Sequence, residues 1–358
     1  MVEVSRKYVV FDKSMTSIVK GVAIIFMLIL HCYETADYDI ALNLEHSLFS
    51  GCYSVFKICI GIFAFMVGYG YAFSRVKDWK YSVKHIKKLL IPFWTILFVF
   101  TWPICFDEVA HDEIKTLIYN LFGISSYYNY FSWFVYFYIF AMIVMPFVSR
   151  FIACSPVRNA MLTISLAYIL SVGVHECPAM LNLIGVHVSN VIENQPLLAL
   201  FNSLMMTPVM VLGYLFASQH YFEKIDTQRL SAFWTIVLCS LAIVVALSLR
   251  YYRSAVMAFQ LDFFYAPIVI GSIAVFFNKF QCQPLRRVLK KMGEVSVYMW
   301  FFHALFFTQV VRWFYQPAIT IFSDINLVAL WTIILTFTAS WIIKTVVDCL
   351  SIKLKVTK

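Results

Sequence analysis

Charge is scarce in this sequence: Asp, Glu, Lys and Arg make up 13% of its 358 residues, about half the usage of soluble domains. No linker rich in Pro, Gly or Ser and no low-complexity tract interrupts it, which excludes a string of flexibly joined domains. The nine cysteines are scattered, without a CxxC pair or a His-bearing metal spacing, so neither a disulfide framework nor a metal site is expected. Cys105 and Cys177 alone fall where a bridge on the outer side would be conceivable. No serine nucleophile elbow and no P-loop is present, which removes the commonest motifs for hydrolysis and phosphate handling.

What fills the sequence instead is apolar. Hydrophobic residues reach 62% and mean hydropathy is +0.80, which predicts an all-α, polytopic membrane protein. Stretches long enough to cross about 30 Å of hydrocarbon run over Ile18–Tyr33, Ser47–Phe73, Leu89–Phe106, Ser132–Val148, Ala160–Val174, Leu197–Ala217, Leu230–Leu249, Ala255–Phe277, Val295–Phe314 and Ile325–Val347. These are ten expected spans, the fifth being the shortest. With the N-terminus inside, most of the 28 basic residues fall in inner segments, such as Arg75 to Lys88 and Lys279 to Lys291. Lys and Arg are retained on the cytoplasmic side, so both termini are expected there. The net charge of +9 then describes a basic inner face rather than a nucleic-acid site. The first span lacks a small-residue cleavage site and is expected to stay in the mature protein. Residues 1–358 read as one integral-membrane domain, with no repeat relating its halves and no fused soluble domain.

Ionisable groups inside such spans are costly and point to function by default. Lys20 and His31 are separated by ten residues in the first span; eleven helical steps bring them to nearly the same face, about 16 Å apart along the axis. They line one stripe, or else mark the two ends of the span by snorkelling and interfacial placement; the two residues alone do not decide. Lys57 has long apolar sequence on both sides, so a partner or a wet cavity is expected, with Asp262 as a candidate mate. His303 shares a helix with Ser296 and would face the pore with His31 or bond a neighbouring helix; the structural role is preferred. Trp133 and the nearby tyrosines form an interfacial belt or an aromatic groove for a sugar. Lys84, Lys87 and Lys88 precede the third span at helical spacing and suit either a phosphate-bearing cytosolic ligand such as acyl-CoA or anionic membrane lipid.

Five stretches together resemble the acyltransferase 3 family of integral-membrane O-acyltransferases. KGVAIIFMLILH is similar to the family's Arg-x10-His motif, GIFAFMVGYGYAF to its Phe-x-x-Ser-Gly-Phe/Tyr segment, and KHIKKLLIPFW to its basic approach to a Leu-Pro-aromatic span. WFVYFYIFAMIVMPF resembles its Trp-Phe/Tyr-x-x-x-Tyr span, and GEVSVYMWFFH its Gly-x-x-Ser-x-x-x-Tyr/Trp-x-x-His pattern. Lys20, Lys84 and Lys87 stand where the family has arginines, and Val67 where it has serine. Lysine keeps the charge but loses the bidentate fork.

The resemblance implies acyl transfer, acetyl-CoA being the expected donor, from the cytosol to a hydroxyl of a cell-surface or lipid-linked glycan across a bacterial inner membrane. His31 would be the general base, with an acyl-histidine as the alternative. Lys20 would hold a phosphate, position the thioester or keep His31 neutral. Lys84, Lys87 and Lys88 would anchor CoA, and Lys57, Trp133, Asp262, Ser296 and His303 would line the pore. A separate extracytoplasmic transfer partner or a homo-oligomer fits the same picture. The acidic outer loops, with residues such as Glu34, Asp107 and Glu193, predict a neutral or weakly charged acceptor. The competing reading is a transporter or flippase for a lipid-linked glycan or small anion, gated by Lys57 and Asp262.

Overall fold

A computed structural model describes residues 9–38, 48–49, 51–74, 78–176, 195–226, 231–254, 261–280 and 282–356. The chain is all-α. Its long helices are α1 (Lys13–Tyr38), α2 (Ile58–Ala72), α3 (Trp79–Ile96), α6 (Trp133–Cys154), α7 (Pro156–Glu176), α8 (Gln195–Ser218), α9 (Ala232–Ser254), α10 (Asp262–Lys279), α11 (Gln283–His303) and α13 (Ile325–Val356); the short ones are α4 (Phe106–His111), α5 (Ile114–Leu121) and α12 (Gln309–Tyr315). Seven helices among the described residues are long and apolar enough to cross a membrane, or eight if a bent pair is one span. This is a multi-pass membrane protein.

α3 and α7 occupy the places of the third and fifth expected spans. α3 begins with the basic run from Trp79 to Lys88 and passes at Leu97–Thr101 into a π-helical turn, so its apolar part is short. The ninth expected span, Val295–Phe314, is not straight. It turns by 88° between Gln283–Phe306 and Gln309–Ala318, through a 3-10 turn at Ala304–Phe306. Thr308 fixes the corner by donating its hydroxyl to the Ala304 carbonyl at 2.7 Å. His303 is therefore the last residue of α11, where the bend begins.

Two close helix pairs form the frame. Helices in lipid gain little from apolar burial against each other and associate through close packing at small residues. A Cβ on Gly21 of α1 would run into the Leu289 carbonyl of α11, and one on Gly293 into the Ser17 carbonyl of α1. The same reciprocal arrangement joins α2 and α8: Gly68 lies against the Met210 carbonyl, and Gly213 against that of Phe65. Gly68→Ala is expected to destabilise the protein by about 1–3 kcal/mol, the cost of overpacking a tight contact, measured as a lower thermal midpoint in detergent.

A buried ion pair ties the α2 end of the frame to α9 and α10. Arg250 and Asp262 are 3% and 1% exposed, and the guanidinium Nε donates to Oδ1 at 2.8 Å. The Nη1 group also donates to the Ser54 carbonyl at 3.0 Å, in the turn that leads into α2.

Candidate functional site

A chamber of about 470 Å³ opens at the end of the bundle where α1 finishes and α2 and α8 begin. His31 and Glu34 reach it from α1, Lys57 from the 3-10 turn Tyr53–Lys57 before α2, Trp133 from the start of α6, and Gln195 and Asn202 from α8. Ser125, Ser126, Tyr130 and Phe131 come from the segment between α5 and α6; the other wall is apolar and includes Leu30, Ile60, Met205 and Met206. The size and the mixture of apolar wall and few polar groups are those of a small-molecule site.

The segment from Gly123 to Ser132 is folded back tightly. Gly123 takes φ +69°, and a Cβ there would meet Val135 at 2.8 Å, so only glycine fits without strain. Asn129 then donates from Nδ2 to the Phe301 carbonyl at 3.1 Å, and the Tyr130 amide donates to the Thr308 hydroxyl at 3.1 Å. Both anchors lie at the α11 bend. In consequence the Phe131 ring is laid over His31, 3.5 Å between centroids and 6° from parallel.

His31 is 7% exposed and His303 is fully buried. Their rings are parallel to within 1°, and His31 Nδ1 lies 2.8 Å from His303 Nε2. His303 Nδ1 lies 3.0 Å from the Met299 carbonyl. A carbonyl only accepts, so Nδ1 of His303 carries the proton and its Nε2 accepts. His31 Nδ1 then donates, and the remaining His31 nitrogen, Nε2, holds a lone pair. A neutral imidazole oriented this way is a proton acceptor, with the tautomer set by its partner's bond.

Lys57 and Glu34 form an ion pair at 2.9 Å, each about a third exposed (31% and 32%). Lys57 thus has the partner its burial demanded, but the partner is not Asp262. Asp262 belongs to Arg250 and lines no part of the chamber. The difference arises because Lys57 stands just before α2 rather than mid-span, while Asp262 opens α10 beside Arg250. A gate of Lys57 and Asp262 is therefore not formed. Ser296 is also turned away from the chamber: it is buried, and its hydroxyl donates to the Gly293 carbonyl of its own helix at 2.9 Å. Trp133 does line the chamber, whereas His303 supports it from behind through His31.

Lys20 does not line the chamber. It lies near the tight α1–α11 contact at Gly21, where Glu294 is the opposite charge acting on it. At the opposite end of the bundle from the chamber, Trp79, Lys80, Val83, Lys84 and Lys87 line a shallow surface groove on α3. Lys88 is exposed but outside it. Burial holds the nearby His85 imidazole below its ordinary pKa, partly offset by its bond to the Tyr81 carbonyl and reinforced by Lys88 and Lys84. Arg75 and Lys77 of the basic loop lie outside the described residues, as do Cys177 and Glu193. Cys105 is a thiol that donates to the Thr101 carbonyl at 3.3 Å.

Three contributors were not singled out from the sequence. Glu34 stands three residues after His31, a spacing that shares a helix face, and could have been found on that signal. Phe131 carried no signal beyond lying among aromatics. Arg250 carries no signal in the sequence, because its burial depends on contacts between distant segments.

A protein-family model described as an acyltransferase domain matches residues 17–345. The match spans α1 to α13, including both histidines, the chamber and the α3 groove. Neither the curated proteins nor the solved structures provide a match.

Proposed function

Given that the chain belongs to the acyltransferase 3 family, we propose that it transfers an acyl group, acetyl in the simplest case, from cytosolic acyl-CoA to a hydroxyl of a cell-surface or lipid-linked glycan, across a bacterial inner membrane. One observation carries the reading: the bond sequence from His31 through His303 to the Met299 carbonyl leaves His31 Nε2 as a base at the chamber wall. An acceptor hydroxyl entering the chamber would give its proton to that nitrogen as its oxygen attacks the thioester carbonyl. His31 would return the proton to the departing CoA sulfur. Trp133 and Tyr130 offer ring faces, and Asn202, Gln195, Ser125 and Ser126 hydrogen-bonding groups, a set that suits an uncharged sugar.

The donor would lie with its nucleotide at the α3 groove, where Lys80, Lys84 and Lys87 suit phosphates and the exposed Trp79 ring suits a base. Lys88 would add long-range attraction only. Lys20, between the groove and His31 along α1, would meet the pantetheine arm or a phosphate rather than the reacting atoms.

The test is free thiol release from acetyl-CoA by protein in lipid nanodiscs supplied with cell-envelope glycans. Release that requires both donor and glycan is expected; thiol-independent movement of glycan would favour a transporter. Lys84→Gln with Lys87→Gln should raise the KM for acyl-CoA about tenfold at low salt, on the scale of 1 kcal/mol or less for each exposed charge contact. Its kcat should change little, and the difference should shrink as salt screens the contacts.

A further inference from the structure

We infer that Lys57 is a catalytic residue: its ammonium, held by Glu34 one helical turn beyond His31, stabilises the oxyanion formed when the acceptor attacks the thioester. The inference rests on the acyl-transfer reading and adds a role that the base alone does not fill.

General-base catalysis removes the hydroxyl proton but leaves the carbonyl oxygen to take up negative charge. As the new C–O bond forms, the carbonyl π electrons move onto that oxygen, and His31 Nε2 becomes an imidazolium. Collapse of the intermediate restores the carbonyl, breaks the C–S bond and passes the imidazolium proton to the thiolate. An oxyanion developing in such a site is stabilised most effectively by preorganised donors.

Among the described lining residues of the chamber, Lys57 is the one lysine or arginine. It lines the same cavity as His31. Glu34 fixes the ammonium from one side at 2.9 Å; an ammonium has three donors, so two remain beyond the bond to Glu34. The one-third exposure of both partners leaves room for a ligand atom. At the intermediate the charges balance as two pairs: the imidazolium with the oxyanion, and Lys57 with Glu34, with Lys57 shared between both anions. A Lys57 that only neutralised Glu34 would instead be dispensable once Glu34 was uncharged.

That difference supplies the experiment. Thiol release and acyl transfer are measured in nanodiscs for wild type, Lys57→Met, Lys57→Arg, Glu34→Gln and the double variant Glu34→Gln with Lys57→Met, with thermal midpoints for each. Lys57→Met is expected to lower kcat by about 10²–10³-fold, the effect of losing one oxyanion donor, with a much smaller change in KM for either substrate. Glu34→Gln lowers kcat less than Lys57→Met does, and Lys57→Arg recovers part of the loss because it keeps a cation. The double variant, which leaves neither partner's charge unpaired, folds and stays as slow as Lys57→Met. Recovery of wild-type kcat in the double variant, or undiminished kcat in Lys57→Met, overturns the inference and leaves the acyl-transfer reading intact. Wild-type turnover that survives His31→Ala would remove both.

Discussion

His31→Ala is expected to lower acyl transfer by about 10²–10⁴-fold, the range of a lost general base, without a matching change in KM for acyl-CoA. The imidazole lines the chamber with its Nδ1 committed to His303 and Phe131 stacked on its face, so the substitution removes the one imidazole among the chamber's described lining residues. His303 touches no chamber surface, yet it decides which His31 nitrogen bears the lone pair. His303→Gln, whose amide oxygen can still accept from His31 Nδ1, should therefore keep more activity than His303→Leu, which leaves that donor unpaired. Equal losses in the two His303 variants would mean that the bond to His31 does not govern the tautomer. Turnover, KM and the thermal midpoint of each variant in nanodiscs provide the comparison.

Asp262→Ala should give the largest loss of stability. It leaves the Arg250 guanidinium, 3% exposed, without the Asp262 carboxylate, and breaking one side of a buried pair costs about 3–5 kcal/mol. Replacing both partners by apolar residues, Arg250→Met with Asp262→Leu, removes the uncompensated charge and should cost much less. Thermal unfolding in detergent measures both. Gly61 lies against the Asp262 side chain, with the Asp262 Cβ 2.9 Å from where a Cβ would be, so the loss should reach α2 and with it Lys57. A double variant as unstable as the single one would show that packing at this junction, rather than charge, holds α2, α9 and α10 together.

Much of this architecture was legible because hydrocarbon imposes a length on apolar runs. The first, fourth, sixth, seventh and tenth expected spans fall on α1, α6, α8, α9 and α13. The ninth could not be read correctly, since Val295 to Phe314 is apolar over most of its length and the corner comes from a 3-10 turn and the Thr308 bond. Lys57 and His31 stood out because each is an ionisable group in an apolar run. Their partners did not: Glu34 read as an outer-loop charge, and Asp262 attracted a pairing that Arg250 satisfies. Sequence spacing locates a side chain on its own helix, whereas which helices meet is fixed by close contacts such as Gly21 with Leu289 and Gly68 with Met210. The pairing of His31 with His303, 272 positions apart, is therefore visible only in the fold.

The most direct test of the acyl-transfer account follows the acyl group itself. Wild-type protein in nanodiscs is given acetyl-CoA labelled in the acetyl carbon, together with cell-envelope glycans, and label and free thiol are counted in the same sample. The account predicts ester-linked label on the glycan, released by mild base, with one thiol freed for each acetyl group transferred. Glycan that binds but stays unlabelled while the thioester remains intact would contradict it.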